Sequence, residues 1–280
     1  MGNFIGGIAG DIIGSVYEWH NATGMDNIEL FRDGVRFTDD TVLTCAVADW
    51  LMNDEKHTSE GLANRLRSFA KKYPYAGYGG KFTKWFKSDS MEPIGSFGNG
   101  AGMRVSPVGY YAKDLSEALE LAKKSAEVTH NHPEGIKGAQ AIAAAVFLAA
   151  DGYGKTAIKD EIVRMFGYDL NKHIQDYVEL DIDENVVSRA HKFDATCQVT
   201  VPEAIVAFLE STDYESAIEQ AIIIGGDSDT IADMAGAIAG AYYGVPQWIQ
   251  NAAMSLLPDD LFGIVRDFEA HVTNRTADKK

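Results

Sequence analysis

The chain has 280 residues, 46% apolar and 24% charged, with a formal net charge of −16 at pH 7. Its length and apolar content suffice for a full buried core. The negative charge opposes non-specific binding to nucleic acid or anionic membranes, which depends on Lys and Arg neutralising phosphates. Cys45 and Cys197 stand alone inside apolar patterns, so they read as core thiols and provide neither a disulfide framework nor a zinc-ligand spacing.

In chain order, helical periodicity predicts helices over 4–19, 41–52, 59–72, 115–129, 133–150, 156–166, 202–210, 214–223, 230–243 and 246–255. Pro133, Pro202 and Pro246 stand where first-turn prolines belong. The most apolar stretch, 136–150, is too short to cross a hydrocarbon layer of about 30 Å and contains Lys137 and Gln140, so it reads as a buried helix. Hairpin signals, linkers, low-complexity tracts and solenoid repeats are missing. The first apolar stretch lacks a basic flank and already carries Asp11, unlike a signal peptide, so the expected location is the cytoplasm. The expectation is an all-α fold, a single domain over 1–280, and a monomer that binds neither nucleic acid nor membrane.

Small residues indicate close helix packing. Gly6, Gly10 and Gly14 form one ridge at i, i+4 spacing, and Gly236, Gly240 and Gly244 form another. Each helical glycine costs up to about 1 kcal/mol, which close approach of two backbones would offset. Continued along the first helix, the ridge leads to Glu18, with Asp11 on nearly the same face.

Two acidic motifs carry the strongest chemical signal: Thr38-Asp39-Asp40-Thr41, and Asp227-Ser228-Asp229-Thr230 after Gly225-Gly226, each at the head of a predicted helix. Helix capping needs one side-chain oxygen. Each motif instead stacks two carboxylates, whose repulsion raises a pKa or calls for a cation. An oxygen-only donor set suits Mg²⁺ or Mn²⁺ rather than zinc. Brought together in space, the motifs would form a two-metal site.

Between them, Gly95 to Arg104 is too glycine-rich for regular structure, and its backbone N–H groups suit a diphosphate. His130 and His132, at i and i+2, read as hydrogen-bonding groups at a helix junction rather than metal ligands. Ala149 to Thr156 imitates a phosphate-binding loop with Ala149 in place of its first glycine, and Ala221 to Asp227 imitates the strand of a nucleotide phosphohydrolase. The first of these follows an Ala-rich helix where such a loop requires a strand.

Taken together, Gly10-Asp11-x-x-Gly14-x-x-x-Glu18, Thr38 to Thr41, Ser96-Phe97-Gly98-Asn99-Gly100 with Met103-Arg104, Thr129-His130 and Gly225-Gly226-Asp227-x-Asp229-Thr230 resemble the motifs of the ADP-ribosylglycohydrolases. That family includes the dinitrogenase-reductase-activating glycohydrolase and the crystallin J1 relatives. The resemblance runs from residue 4 to about 245 and implies a compact all-α domain with a binuclear metal site. It implies that Thr38, Asp39, Asp40, Asp227, Asp229 and Thr230 bind two Mg²⁺ or Mn²⁺ ions, with catalytic carboxylates among Glu18, Asp39 and Asp40. Substrate would be held by Ser96, Phe97, Gly98, Asn99, Gly100, Met103 and His130. The implied reaction releases ADP-ribose from a protein arginine or serine, another acceptor, or a small conjugate such as O-acetyl-ADP-ribose. A metal-dependent nucleotide phosphohydrolase and a non-catalytic ADP-ribose-binding module are the alternatives.

Overall fold

The computed structural model describes residues 3–22, 24–177 and 193–277, the last four of these by backbone alone. In chain order its α-helices are α1 (Ile5–Gly14), α2 (Asp39–Asn53), α3 (Ser59–Lys72), α4 (Gly80–Lys87), α5 (Gly100–Met103), α6 (Ser106–Tyr111) and α7 (Leu115–Glu127). They continue with α8 (Pro133–Ala150), α9 (Lys155–Phe166), α10 (Cys197–Glu210), α11 (Tyr214–Ile224), α12 (Ser228–Tyr243), α13 (Gln247–Ser255) and α14 (Asp259–Ala277). Among the described residues the only β pairing is the isolated contact of Gly98 with Thr196. The all-α expectation holds, and no helix of the described residues is long and apolar enough to cross a membrane.

Side-chain caps set several starts. Thr58 accepts from Gly61 N at 3.0 Å before α3, and Asp114 accepts from Glu117 N at 2.8 Å before α7. Each such cap stabilises by about 1 kcal/mol. His132 caps α8 by accepting from Glu134 N at 3.2 Å, the junction role read for it from sequence.

Other expectations need correction. The first helix stops at Gly14 rather than at residue 19: Tyr17 N closes a tighter turn by donating to Gly14 O at 2.8 Å, and Tyr17 Oη donates to Glu29 O at 3.0 Å and accepts from Glu29 N at 2.9 Å. Pro202 lies inside α10, which starts earlier: Cys197 N donates to Phe97 O at 3.0 Å and ties that start to the glycine segment. Pro246 is the N-cap of α13 rather than its first residue. The glycine segment is irregular only as far as Asn99 and then forms the single turn α5. The short α4 and α6 give too few turns for periodicity to register, whereas α14 carries a buried stripe, Leu261, Val265, Phe268 and Val272, that the predicted set omits.

The phosphohydrolase look-alikes dissolve in the structure. Ala221 to Ile224 is the end of α11, not a strand. Lys155 Nζ donates to Leu209 O at 3.0 Å and to Ser211 O, closing the C-terminus of α10. Cys45 and Cys197 are buried free thiols.

α12 is buried from Ser228 through Gly240 and packs on α1, α8, α10 and α11. Against α1 the contact is backbone to backbone. A Cβ placed on Gly10 would lie 2.1 Å from Ala232 O, one on Gly6 2.5 Å from Gly236 O, and one on Gly14 2.6 Å from Asp229 Cα. Close packing is thus the return on the glycine ridge. Gly244 departs from the ridge reading, since it follows α12 as a C-cap with φ 80°.

Candidate active site

The glycine contact brings the C-terminal half of α1 beside the N-terminus of α12, and Asp11 then fastens α2 to both. Its fully buried carboxylate accepts from Thr38 N at 2.9 Å, Thr38 Oγ1 at 2.7 Å, Thr41 N at 3.2 Å and Thr41 Oγ1. Thr38 Oγ1 accepts in turn from Asp40 N at 3.3 Å, capping α2. Across the site, Gly225 (φ 80°) and Gly226 (φ 75°) supply a left-handed turn between α11 and α12 that a side chain would strain. Asn99 Nδ2 anchors the second motif by donating to Asp227 Oδ2 at 2.6 Å.

The two acidic motifs therefore meet. Carboxylate oxygens of Asp11, Asp40 and Asp229 lie within 4.8 Å of one another, and so do those of Glu18, Asp227 and Asp229. Asp229 belongs to both groups. Asp11 and Glu18, read as one face of one helix, divide between them, because Glu18 lies beyond the end of α1. Asp39 stands outside both groups, half-buried, with its N–H donating to Ala76 O at 2.8 Å. Thr38 and Thr230 are buried at the respective helix starts, and Thr230 N donates to Asp229 Oδ1 at 3.0 Å.

This charge has no cationic partner at contact distance among the described residues. Burial raises the pKa of Asp11, Glu18, Asp39, Asp40, Asp227 and Asp229, and neighbouring carboxylates push Asp39, Asp40 and Asp229 further, well above the ordinary range. Asp40 Oδ2 is buried without a hydrogen-bond partner among the described residues. Clustered, under-satisfied oxygens of this kind suit hard divalent cations.

The carboxylates of Glu18, Asp39, Asp40, Asp227 and Asp229 line a cleft of about 450 Å³, the size of a small-molecule site. Ser96, Gly98, Asn99, Gly100, Met103 and His130 line it. Phe97 does not line it: the residue is 39% exposed, and its ring centroid lies 5.2 Å from that of His132. Sequence reasoning missed Asp11 as a member of the acidic cluster, and it missed Trp19, Arg36 and Phe193 at the cleft. Trp19 and Phe193 stack across the mouth, ring centroids 5.4 Å apart, a pairing with no local sequence signal.

The sequence profile of the ADP-ribosylglycohydrolase family matches residues 1–277. The chain belongs to the ADP-ribosylglycohydrolase family. With that membership it is a hydrolase of ADP-ribosyl glycosidic bonds. Among its relatives, the ADP-ribosylhydrolase ARH3 of Xenopus tropicalis is 30% identical, the match covering 91% of this chain and 89% of that protein. The ADP-ribosylhydrolase ARH3 of Homo sapiens is 29% identical over 88% and 85%. A solved structure titled ADP-ribosylglycohydrolase-related protein complex shares the fold, with a TM-score of 0.66 and 21% identity over 96% of each chain.

Proposed function

We propose that this family member is a Mg²⁺- or Mn²⁺-dependent enzyme that hydrolyses the bond between ADP-ribose and a protein arginine or serine, or a small ADP-ribose conjugate, and releases ADP-ribose. The carrying observation is the double membership of Asp229, whose carboxylate belongs to two groups of acidic oxygens at once. That arrangement would suit a pair of divalent cations. Asp40, Asp227, Asp229 and Glu18 supply carboxylate oxygen, Thr38 and Thr230 hydroxyl or backbone oxygen, and Asp39 a carboxylate at the cleft wall. When bound, the ions would fix neighbouring ribose hydroxyls and orient water.

The chain's own groups supply the rest. Asp11 holds the first motif in register through four hydrogen bonds. Ser96, Gly98, Asn99 and Gly100, with Met103 and His130, form the wall on which the diphosphate and adjacent ribose lie. Glu18 lines the cleft half-buried, and burial and Asp227 raise its pKa, which suits a carboxyl that exchanges a proton as the anomeric bond breaks through an oxocarbenium-like transition state.

The test is incubation with ADP-ribosylated arginine and serine peptides, with Mg²⁺, Mn²⁺ or excess chelator. Intact free ADP-ribose, formed only with metal, is the expected product. AMP or free phosphate would identify a phosphohydrolase, and saturable binding without product a binding module. Full turnover in chelator would refute the metal requirement.

A further inference from the structure

We propose that Arg104 and Thr129 are positioning residues that fix His130 in its Nε2–H tautomer, giving the glycine loop a donor aimed at the diphosphate of ADP-ribose. The ligand in this proposal rests on the hydrolase reading above, whereas the tautomer does not.

The protons around the His130 ring share a closed space. Arg104 and Thr129 are fully buried and His130 is 5% exposed. Arg104 Nη2 donates to Ser125 O at 2.7 Å and to Thr129 Oγ1 at 3.0 Å. A guanidinium is only a donor, so Thr129 Oγ1 is the acceptor in that bond. The hydroxyl has one proton left to place, and His130 Nδ1 lies 2.7 Å from the same oxygen. Were Nδ1 protonated, the hydroxyl would accept twice and its own proton would be buried without an acceptor among the described residues, an arrangement native proteins avoid. If the hydroxyl instead donates to Nδ1, each group is satisfied. The ring proton then sits on Nε2.

Nε2 faces the loop. A Cβ on Gly100 would lie 3.1 Å from it and one on Gly98 3.9 Å, and His130 lines the cleft. Thr129 also steadies the loop, its carbonyl accepting from Ile94 N at 3.1 Å and Ser96 N at 3.5 Å. Electrostatics then favours an anionic oxygen over a neutral hydroxyl at Nε2. Arg104 Nε and Nη1 find no hydrogen-bond acceptor among the described residues, and no carboxylate pairs with the guanidinium. Burial pushes its pKa down to about 9, which leaves it charged at neutral pH. Burial and that charge hold the His130 pKa well below its usual value, so the ring acts as a neutral donor.

The tautomer can be read by long-range ¹H–¹⁵N correlation NMR on ¹⁵N-histidine-labelled protein at neutral pH, with the His130 signal assigned by its loss in His130→Gln. The expected spectrum has a bare Nδ1 and a protonated Nε2. Thr129→Val should lose this single-tautomer signature and bind ADP-ribose about tenfold more weakly by calorimetry, and Thr129→Ser should restore both. A tenfold loss is about 1.4 kcal/mol, the scale of one hydrogen bond. A protonated Nδ1 in the wild type, or a Thr129→Val variant that keeps both signature and affinity, would overturn the proposal. Because the wild-type spectrum tests the relay without ligand or mutation, failure of Thr129→Val to fold still leaves a decisive result. Absence of any ADP-ribose binding by the wild type would overturn the diphosphate role and the hydrolase reading, while the spectrum would still decide the tautomer.

Discussion

Asp229→Asn should change stability in opposite directions with and without metal. In excess chelator the wild type holds Asp229 within 4.8 Å of carboxylate oxygens of Asp11, Asp40, Glu18 and Asp227. Full charges at that distance repel by roughly 3 kcal/mol at an effective dielectric of about 20, and proton uptake lowers the figure. At about 2.1 cal/mol/K per residue, 280 residues give an unfolding entropy of about 0.6 kcal/mol/K. Removing one charge should therefore raise the melting temperature by up to about 5 °C. With Mg²⁺ at a hundredfold its Kd, one bound ion stabilises the wild type by about 2.7 kcal/mol, or about 4–5 °C, and two ions by about twice that. The amide keeps the shape but loses the ligand charge shared by both groups, so the mutant should gain less than about 1 °C. Differential scanning calorimetry in chelator and in Mg²⁺ gives all four values. An equal metal-induced rise in both proteins would identify general screening of an acidic surface and refute a site built on Asp229.

Gly100→Val should weaken ADP-ribose binding by about tenfold or more through collision with His130, yet leave the Mg²⁺-induced thermal shift intact; calorimetry showing unchanged affinity would remove the loop from the binding wall. Gly10→Ala places a methyl 2.1 Å from Ala232 O and should lower unfolding free energy in urea by about 3 kcal/mol or more, and a loss below about 1 kcal/mol would mean that α1 and α12 separate easily. Glu203 is buried, and burial, with Asp194 next in weight, raises its pKa from 4.5 to about 8. The sign follows: the stability it contributes is fully present below the unfolded value and is lost as pH rises through about 8. Glu203→Gln should flatten that decline, and parallel wild-type and mutant curves of urea stability against pH would contradict it.

The legible part of the site was its surplus. A helix cap needs one oxygen, and Thr38-Asp39-Asp40 and Asp227-Ser228-Asp229 each offer more, so their chemistry could be read without knowing that they touch. What remained hidden depends on where chain segments turn. Whether Glu18 continues the face of Asp11 depends on where α1 ends, and beyond Gly14 the chain is held by contacts such as that of Tyr17 with the backbone of Glu29, which periodicity does not register. Asp11 alone in an apolar helix has neither a repeat nor a paired acid to mark it. Its role appears only when Thr38 and Thr41 arrive from another helix. The stacking of Trp19 on Phe193 joins positions far apart in the chain and is equally invisible to periodicity.

The glycine ridge joins these two kinds of information. From sequence it reads as packing, distinct from the acidic motifs as a reading of chemistry. In the structure a Cβ on Gly14 would lie 2.6 Å from the Cα of Asp229 itself, so the absent side chain leaves room for the backbone of Asp229. Gly10, one turn earlier, admits the carbonyl of Ala232, one turn further into α12. A larger residue at either position would push apart Asp11 and Asp229, two members of one carboxylate group. Cation binding by an oxygen cluster falls steeply with such displacement, because the ligands must converge within a few ångströms. Close packing and site assembly are therefore one constraint on the same glycines. A substitution that α1 accommodates by shifting should lose metal response before it loses the fold.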